Sequence, residues 1–244
     1  MGVELLMTSR ISLGLVLCCC LGALGIALAG AGAQQLAPGM DSSAQKILGA
    51  ARLYVEEEIW SQALRALQVL LDRAEDSKVE VKRPGADKPV IVSAWAEAER
   101  MIQSMPQAGL EFYEKEYGPR AAQLMKEAKE FKADDLLAQT ARRYRYTRSG
   151  VEATTMLAGS LLDMGKPKEA VQYFDRLLGW PGPDKLTPLT VYQAALAVRK
   201  AGDKPRSEEL WKRVSERIGK DGLRMGDRTL TVEELRKELE KVAP

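Results

Sequence analysis

Three kinds of grouping in this chain have the composition of a chemical site. The acidic ones are Glu56-Glu57-Glu58, Asp134-Asp135 and Glu233-Glu234. Carboxylate oxygens bind hard cations such as calcium and magnesium, and a separated carboxylate pair is the apparatus of glycoside hydrolysis. Neighbours on a helix point in different directions, so neither acidic pair is a ready-made acid and base. Both stand where first-turn acids complement a helix dipole. The glutamate trio reads as a solvated, charged helix end. A second grouping, Arg142-Arg143-Tyr144-Arg145-Tyr146-Thr147-Arg148, alternates cations with rings in the manner of single-strand nucleic-acid surfaces. The favoured reading is structural, with arginines near a helix C-terminus and tyrosines turned inward over apolar surface. The third grouping is aromatic: Trp95, Phe112, Tyr113, Tyr117, Phe131 and Tyr144. A ligand-stacking platform would use such rings, but at helical spacing they more often form core.

What is missing narrows the chemistry further. The 244 residues contain no histidine. Hydrolases with a His base, His-ligated zinc centres and c-type haem attachment are thereby excluded or strongly disfavoured. No Gly-rich phosphate loop, Walker sequence or dinucleotide fingerprint follows an expected strand. No catalytic, cofactor-binding or metal-ligating residue is therefore assigned, and no cofactor is expected. The formal net charge is only +2, with both signs interspersed. No global field steers nucleic acid or an anionic membrane toward the chain, so nucleic acid is not an expected partner.

Residues 11–33 are uncharged and apolar, follow Arg10, and end in Ala31-Gly32-Ala33. This is the pattern of an export signal cleaved after Ala33, with an uncleaved membrane anchor as the alternative because the apolar run is long. All three cysteines, Cys18, Cys19 and Cys20, lie inside it. Leu17 stands before them where a lipoprotein signal would carry a small residue. Cleavage leaves a mature chain with no cysteine, so its core must hold without disulfides. The expected location is the periplasm or cell envelope, with membrane contact only through an uncleaved N-terminal segment.

Residues 34–41 read as a linker, and the helical period begins at Ser42. The clearest stretch is 151–181. Thr154, Leu157, Ala158 and Leu161 share one helix face, and Ala170, Phe174, Leu177 and Leu178 share another after a Gly-Lys-Pro turn. Either stripe needs a neighbour to cover it. The pattern recurs 37 residues later, where Ala194, Ala195, Ser207 and Trp211 follow Leu157, Ala158, Ala170 and Phe174 in order. It recurs earlier in Ile47, Ala50, Ala51 and Tyr54, then Ala63, Leu67 and Leu70. Ser42-Ser43-Ala44-Gln45, Ser149-Gly150-Val151-Glu152 and Thr231 to Glu234 each have the capping-box pattern, and Thr187-Pro188 also opens a helix.

Between these units the period changes. The stretch 78–92 has two β-branched runs around Arg83-Pro84-Gly85-Ala86-Asp87, predicting a small hairpin insert that lies against the helices, with a binding loop as the alternative. From Ser93 to Tyr146 helices return, and Pro106 and Gly118-Pro119 predict breaks, giving helices near 93–104, 108–117, 119–131 and 133–146. At the end, Gly226-Asp227 predicts a second hairpin turn. A last helix with Leu235, Leu239 and Val242 then caps the array, making 219–244 a terminal hairpin and capping helix.

The residues Ala158, Leu161, Ala170 and Phe174 resemble the small, apolar and aromatic signature of the tetratricopeptide (TPR) family, and Ala51, Tyr54 and Ala63 match it similarly. Thr154 and Ile47 depart from it, standing at the usual tryptophan position, and 79–146 fits poorly. The resemblance implies an all-α fold, a TPR-like α-solenoid of antiparallel helix pairs over 42–218 carrying one or two small β-hairpins. The stretch AWAEAERMIQSMPQAGLEFYEKEYGPRAAQLMKEA also resembles the helical module that precedes PQQ-like β-propellers in some exported bacterial proteins. No propeller sequence accompanies it here, so no quinone-binding role is carried over. The expected function is that of an exported, non-catalytic scaffold for protein or peptide partners. The alternatives are an envelope enzyme or carbohydrate-binding module with a carboxylate and aromatic pocket, or an N-terminal module of a PQQ-like propeller system.

Overall fold

Among the described residues, six helices start at a side-chain oxygen, because the first amides of a helix have no acceptor of their own. The computed structural model describes residues 39–83, 85, 87–180, 186–219 and 222–242. The export signal expected over 1–33 and most of the linker lie outside them, as does Pro181. The described chain is 69% helix. In order it forms α1 (Ser42–Glu56), α2 (Trp60–Leu71), β1 (Lys78–Val81), β2 (Val90–Ser93), α3 (Ala94–Gln103), α4 (Gln107–Phe131) and α5 (Asp134–Arg143). There follow α6 (Arg148–Asp163), α7 (Pro167–Leu178), α8 (Pro188–Lys200), α9 (Lys204–Ser215), β3 (Leu223–Met225), β4 (Arg228–Leu230) and α10 (Val232–Lys241). Among the described residues no helix is long and apolar enough to cross a membrane.

The capping residues differ in two places from the sequence pattern. Asp41, not Ser42, caps α1 by accepting from the Ala44 amide at 2.9 Å. Gln45 is drawn away to β1, so no reciprocal box forms. Thr147, not Ser149, caps α6 through the Gly150 amide, and Glu152 instead pairs with Lys129 on α4. Thr187 caps α8, and Thr231 with Glu234 forms the expected box at α10.

The predicted break at Gly118-Pro119 is absent, and α4 runs through it for 25 residues. Proline's fixed φ suits a helix, and its cost is one lost hydrogen bond and crowding of the carbonyl four residues back. Packing outweighs that cost. Tyr113 and Gly118 before the proline and Ala121, Leu124 and Met125 after it are all buried along the same helix.

The three units read from the sequence share one turn. Glu58, Gly165 and Gly202 all have positive φ, at 57°, 73° and 97°. After each, an amide reaches back to the carbonyl five residues earlier: Ile59 to Tyr54, Lys166 to Leu161 and Asp203 to Val198. This is a Schellman closure, in which a left-handed residue lets the chain reverse and satisfies the helix's last carbonyls. The residues it brings together are small. Ala51 and Ala63, Ala158 and Ala170, and Ala195 and Ser207 are all fully buried. In the last pair the Ser207 hydroxyl donates to the Ala195 carbonyl at 3.0 Å, so the two helices touch there.

A fourth pair with the same closure is hidden in the irregular middle. Lys132 ends α4 at φ 49°, and the Ala133 amide reaches the Ala128 carbonyl at 2.9 Å. Aligned on that turn, Met125 and Leu137 replace the two alanines, and Ala141 replaces Phe174. All three are buried in one cluster with Ala128 and Ala153. Large and small have changed places, which conserves volume while erasing the sequence signature.

Both strand pairs are antiparallel hairpins. Val79 and Val81 of β1 are buried against the core of α1, α2 and α3, as expected, whereas Phe131, grouped above with the core rings, is 69% exposed. One core cluster gathers residues of α1 to α4 with β1 and Tyr146, and another gathers residues of α6 to α10. Leu235 and Leu239 of α10 are buried in the second.

Glu58 is the one non-glycine residue among the three matched turns, and a side chain in the left-handed region is strained. Glu58→Gly should raise stability by about 1 kcal/mol, read as a higher urea midpoint at unchanged slope. A lowered midpoint would show that the Glu58 side chain stabilises the turn.

Candidate functional site

The last turn of α2 contains no basic residue, yet its carbonyls need donors. They are supplied from far along the chain. Trp95 donates its indole N–H to the Leu70 carbonyl at 2.9 Å, Arg142 donates to Leu71 at 2.8 Å, and Arg143 donates to Asp72 at 3.3 Å. The Arg142 guanidinium also stacks 4.4 Å from the centre of the Trp95 ring. Arg145 pairs with Glu99 at 2.5 Å and donates to the Arg176 carbonyl in the last turn of α7. The basic and aromatic segment therefore places Arg142 and Arg143 in the last turn of their own helix, α5, and its guanidinium groups reach on to the C-terminal carbonyls of α2 and α7. Burial lowers the pKa of Arg142, with Arg143 beside it adding to the effect.

The tyrosines of the same segment turn inward. Tyr144 and Tyr146 are buried, and Tyr146 meets the fully buried Tyr113 edge-on at 6.5 Å. The Tyr113 hydroxyl lies 3.1 Å from both the Gln68 side-chain oxygen and the Arg143 carbonyl, which also accepts from the Gln68 amide. One carbonyl thus ties α2, α4 and the end of α5 together. The corner after it is tight. A Cβ on Gly150 would stand 1.9 Å from the Tyr144 carbonyl oxygen, so only glycine lets α6 begin there.

This corner forms one wall of an open groove of about 550 Å3. Gln107, Leu110, Glu111 and Glu114 line it from one face of α4, at the spacing of successive helical turns. Tyr146 comes from the corner, Arg148 and Val151 from the first turn of α6, and Trp180 from just beyond α7. Trp180 packs against both large core clusters. Glu114 accepts from the Arg148 backbone amide at 2.8 Å, placing a carboxylate at the positive end of α6. Glu111 accepts from Gln107 at 2.9 Å. The Arg148 guanidinium has no hydrogen-bond or ionic partner among the described residues. The Tyr146 hydroxyl is buried without a hydrogen-bond partner among the described residues. The groove thus joins an apolar floor to two carboxylates and a guanidinium.

The acidic groupings stay apart from it. Asp134 and Asp135 lie in the first turn of α5, and Glu233 and Glu234 in that of α10. The Thr231 backbone amide lowers the pKa of Glu234. Among the described residues no cluster of three acidic side chains is placed to hold a metal ion. Of the groove residues, Tyr146 and Arg148 stood in a grouping picked out by type and spacing. Leu110, Glu111 and Glu114 follow a readable helical spacing, but nothing local announces that a wall some thirty-five residues onward will face them.

The tyrosine cluster makes stability sensitive to alkali. Burial pushes Tyr117, Tyr146 and Tyr192 up to about 12 and Tyr113 well above its usual value. An unfolded tyrosine releases its proton near pH 10, so above that pH the folded chain binds more protons and stability falls as pH rises. It is fully present below pH 10. Urea midpoints should decline between pH 10 and 12, and Tyr113→Phe should flatten that decline while costing about 1 to 2 kcal/mol at pH 8 through its lost hydrogen bonds. A midpoint independent of pH up to 12 would contradict this account.

Compared with protein-family models, with curated proteins and with solved structures, the chain matches none.

Proposed function

We propose that this chain is an exported, non-catalytic scaffold whose helix pairs stack as a TPR-like α-solenoid and hold a protein or peptide segment in the cell envelope. The observation that carries the reading is the recurrence of one turn and one buried small-residue contact. Helix pairs built that way leave apolar stripes that only further pairs cover. The resulting array has few residues committed to chemistry and a groove whose walls come from separate pairs. The groove between α4, α6 and Trp180 is the proposed seat for the partner. Leu110, Val151 and Trp180 supply its apolar contacts, and Glu111 and Arg148 its polar rim.

The carbohydrate-binding alternative draws on the same groove, since two carboxylates and two aromatic rings line it. Against it, Glu114 and Glu111 are both engaged within the protein, and the Tyr146 ring is buried rather than offered to a sugar. The cell-envelope location follows from the export pattern of 11–33.

Site-specific photo-crosslinking in exporting cells tests the proposal. A photo-reactive phenylalanine replacing Glu111 should give discrete protein adducts that are absent when it replaces Arg228 on the distant β4, and the exported chain should begin at Gln34. An absence of adducts at Glu111, together with glycan binding or turnover by the purified chain, would overturn it.

A further inference from the structure

The two edges of the β1–β2 ribbon are treated differently. The register pairs Val79 with Val92, Glu80 with Ile91 and Val81 with Val90. The Glu80 amide donates to the Gln45 side-chain oxygen at 2.9 Å, and the Glu80 carbonyl accepts from the Gln45 side-chain amide at 2.7 Å. The Asp41 amide covers the next outward carbonyl, that of Lys78, at 3.0 Å. The outer edge of β1 is therefore closed by α1 and its cap. Because Glu80 points both backbone groups away from β2, its cross-strand neighbour Ile91 must point its own pair away from β1. No described residue bonds to them. The side chains there are also uncovered: Val90 is 43% exposed and Ile91 57%.

An open strand edge with exposed β-branched side chains accepts one kind of ligand, an extended backbone that adds a strand. Charge selects among such backbones. Lys78, Lys82 and Lys88 stand on or beside the ribbon with no ionic partner among the described residues, whereas Arg83 pairs at 3.0 Å with the buried Glu97, which it shares with Arg100 at 2.7 Å. Within 78–93 only Glu80 and Asp87 carry the opposite charge. A second copy of the same ribbon would bring like charge alongside, and Pro89 would offer it no amide at the strand's start. We infer that the outer edge of β2 is a docking site for an extended, acidic segment of a partner protein, which pairs through the Ile91 backbone and is steered by Lys82 and Lys88. The site stands apart from the groove, so its failure leaves the proposed function untouched.

Random octapeptides displayed on phage and selected on the whole exported chain test the inference. The synthesised winners should be rich in Asp and Glu alternating with β-branched residues, and should slow amide exchange at Ile91 but not at Leu110 or Val151. Ile91→Pro removes an outward amide that the ladder does not use, so affinity should fall about tenfold, the worth of one hydrogen bond. Ile91→Thr keeps that amide and should preserve binding. Lys82→Glu with Lys88→Glu, which leaves the ladder and the Glu97 pair intact, should also abolish selection of acidic peptides. Failure to enrich any peptide, protection at Leu110 and Val151 instead, or protection of Ile91 that grows with protein concentration alone would each overturn it.

Discussion

The last carbonyls of α2 set the constraint on which the packing of α2 to α5 depends. A helix C-terminus leaves acceptors that the helix itself cannot satisfy, and burying them unpaired costs about 1 to 3 kcal/mol each. Here the donors are Trp95, Arg142 and Arg143, from residues 25 to 71 positions away in sequence. Arginine suits the task because its planar fork reaches carbonyls while its face stacks on a ring, as Arg142 does on Trp95. Once those contacts form, α3 and α5 are fixed against α2. The Arg143 carbonyl is then presented to Tyr113 and Gln68. The order of Tyr144, Tyr146 and Gly150 follows, and with it the wall of the groove.

Beyond that joint, regularity comes from turns. A left-handed residue followed by a back-reaching amide closes the first helix of four pairs, and in three of them the opposed residues are alanine or serine. Such small residues let backbones approach, and Ser207 converts the approach into a hydrogen bond. The fourth pair reaches a packed interior by other means, with Met125 and Leu137 filling the space and Ala141 giving way. The geometry of the turn is thus more conserved within this chain than the identity of the residues it brings together. Close packing constrains total volume at a site more tightly than it constrains which partner supplies it.

Both hairpins are too small to be stable alone. The first is held by its valines on the helical core, by the side chain of Gln45 imitating a neighbouring strand, and by Arg83 reaching the buried carboxylate of Glu97. These ties all act on β1 and its far end. The second strand is carried by the first and keeps its outer edge open.

Much of the helical framework was legible because amphipathic period and turn residues are local. The first and the last two pairs, both hairpins and the box at Thr231 could be read from neighbours within about a turn. The departures share one physical cause. Ser42 and Ser149 have good capping chemistry, but Asp41 and Thr147 have it too, and only contacts with β1 and the Tyr144 carbonyl decided between them. Pro119 reads as a break because its cost is local, while the burial that outweighs it comes from other helices. The arginines at 142 to 145 announced the end of α5 without saying that their guanidinium groups also serve α2 and α7. The sequence by itself determined most of the helices, both hairpins and most of the apolar faces, since hydrogen bonding and periodicity operate over a few residues. The tertiary structure alone decided which distant carbonyls those arginines satisfy and which side chains share a groove, because such partners meet only after the chain has closed on itself.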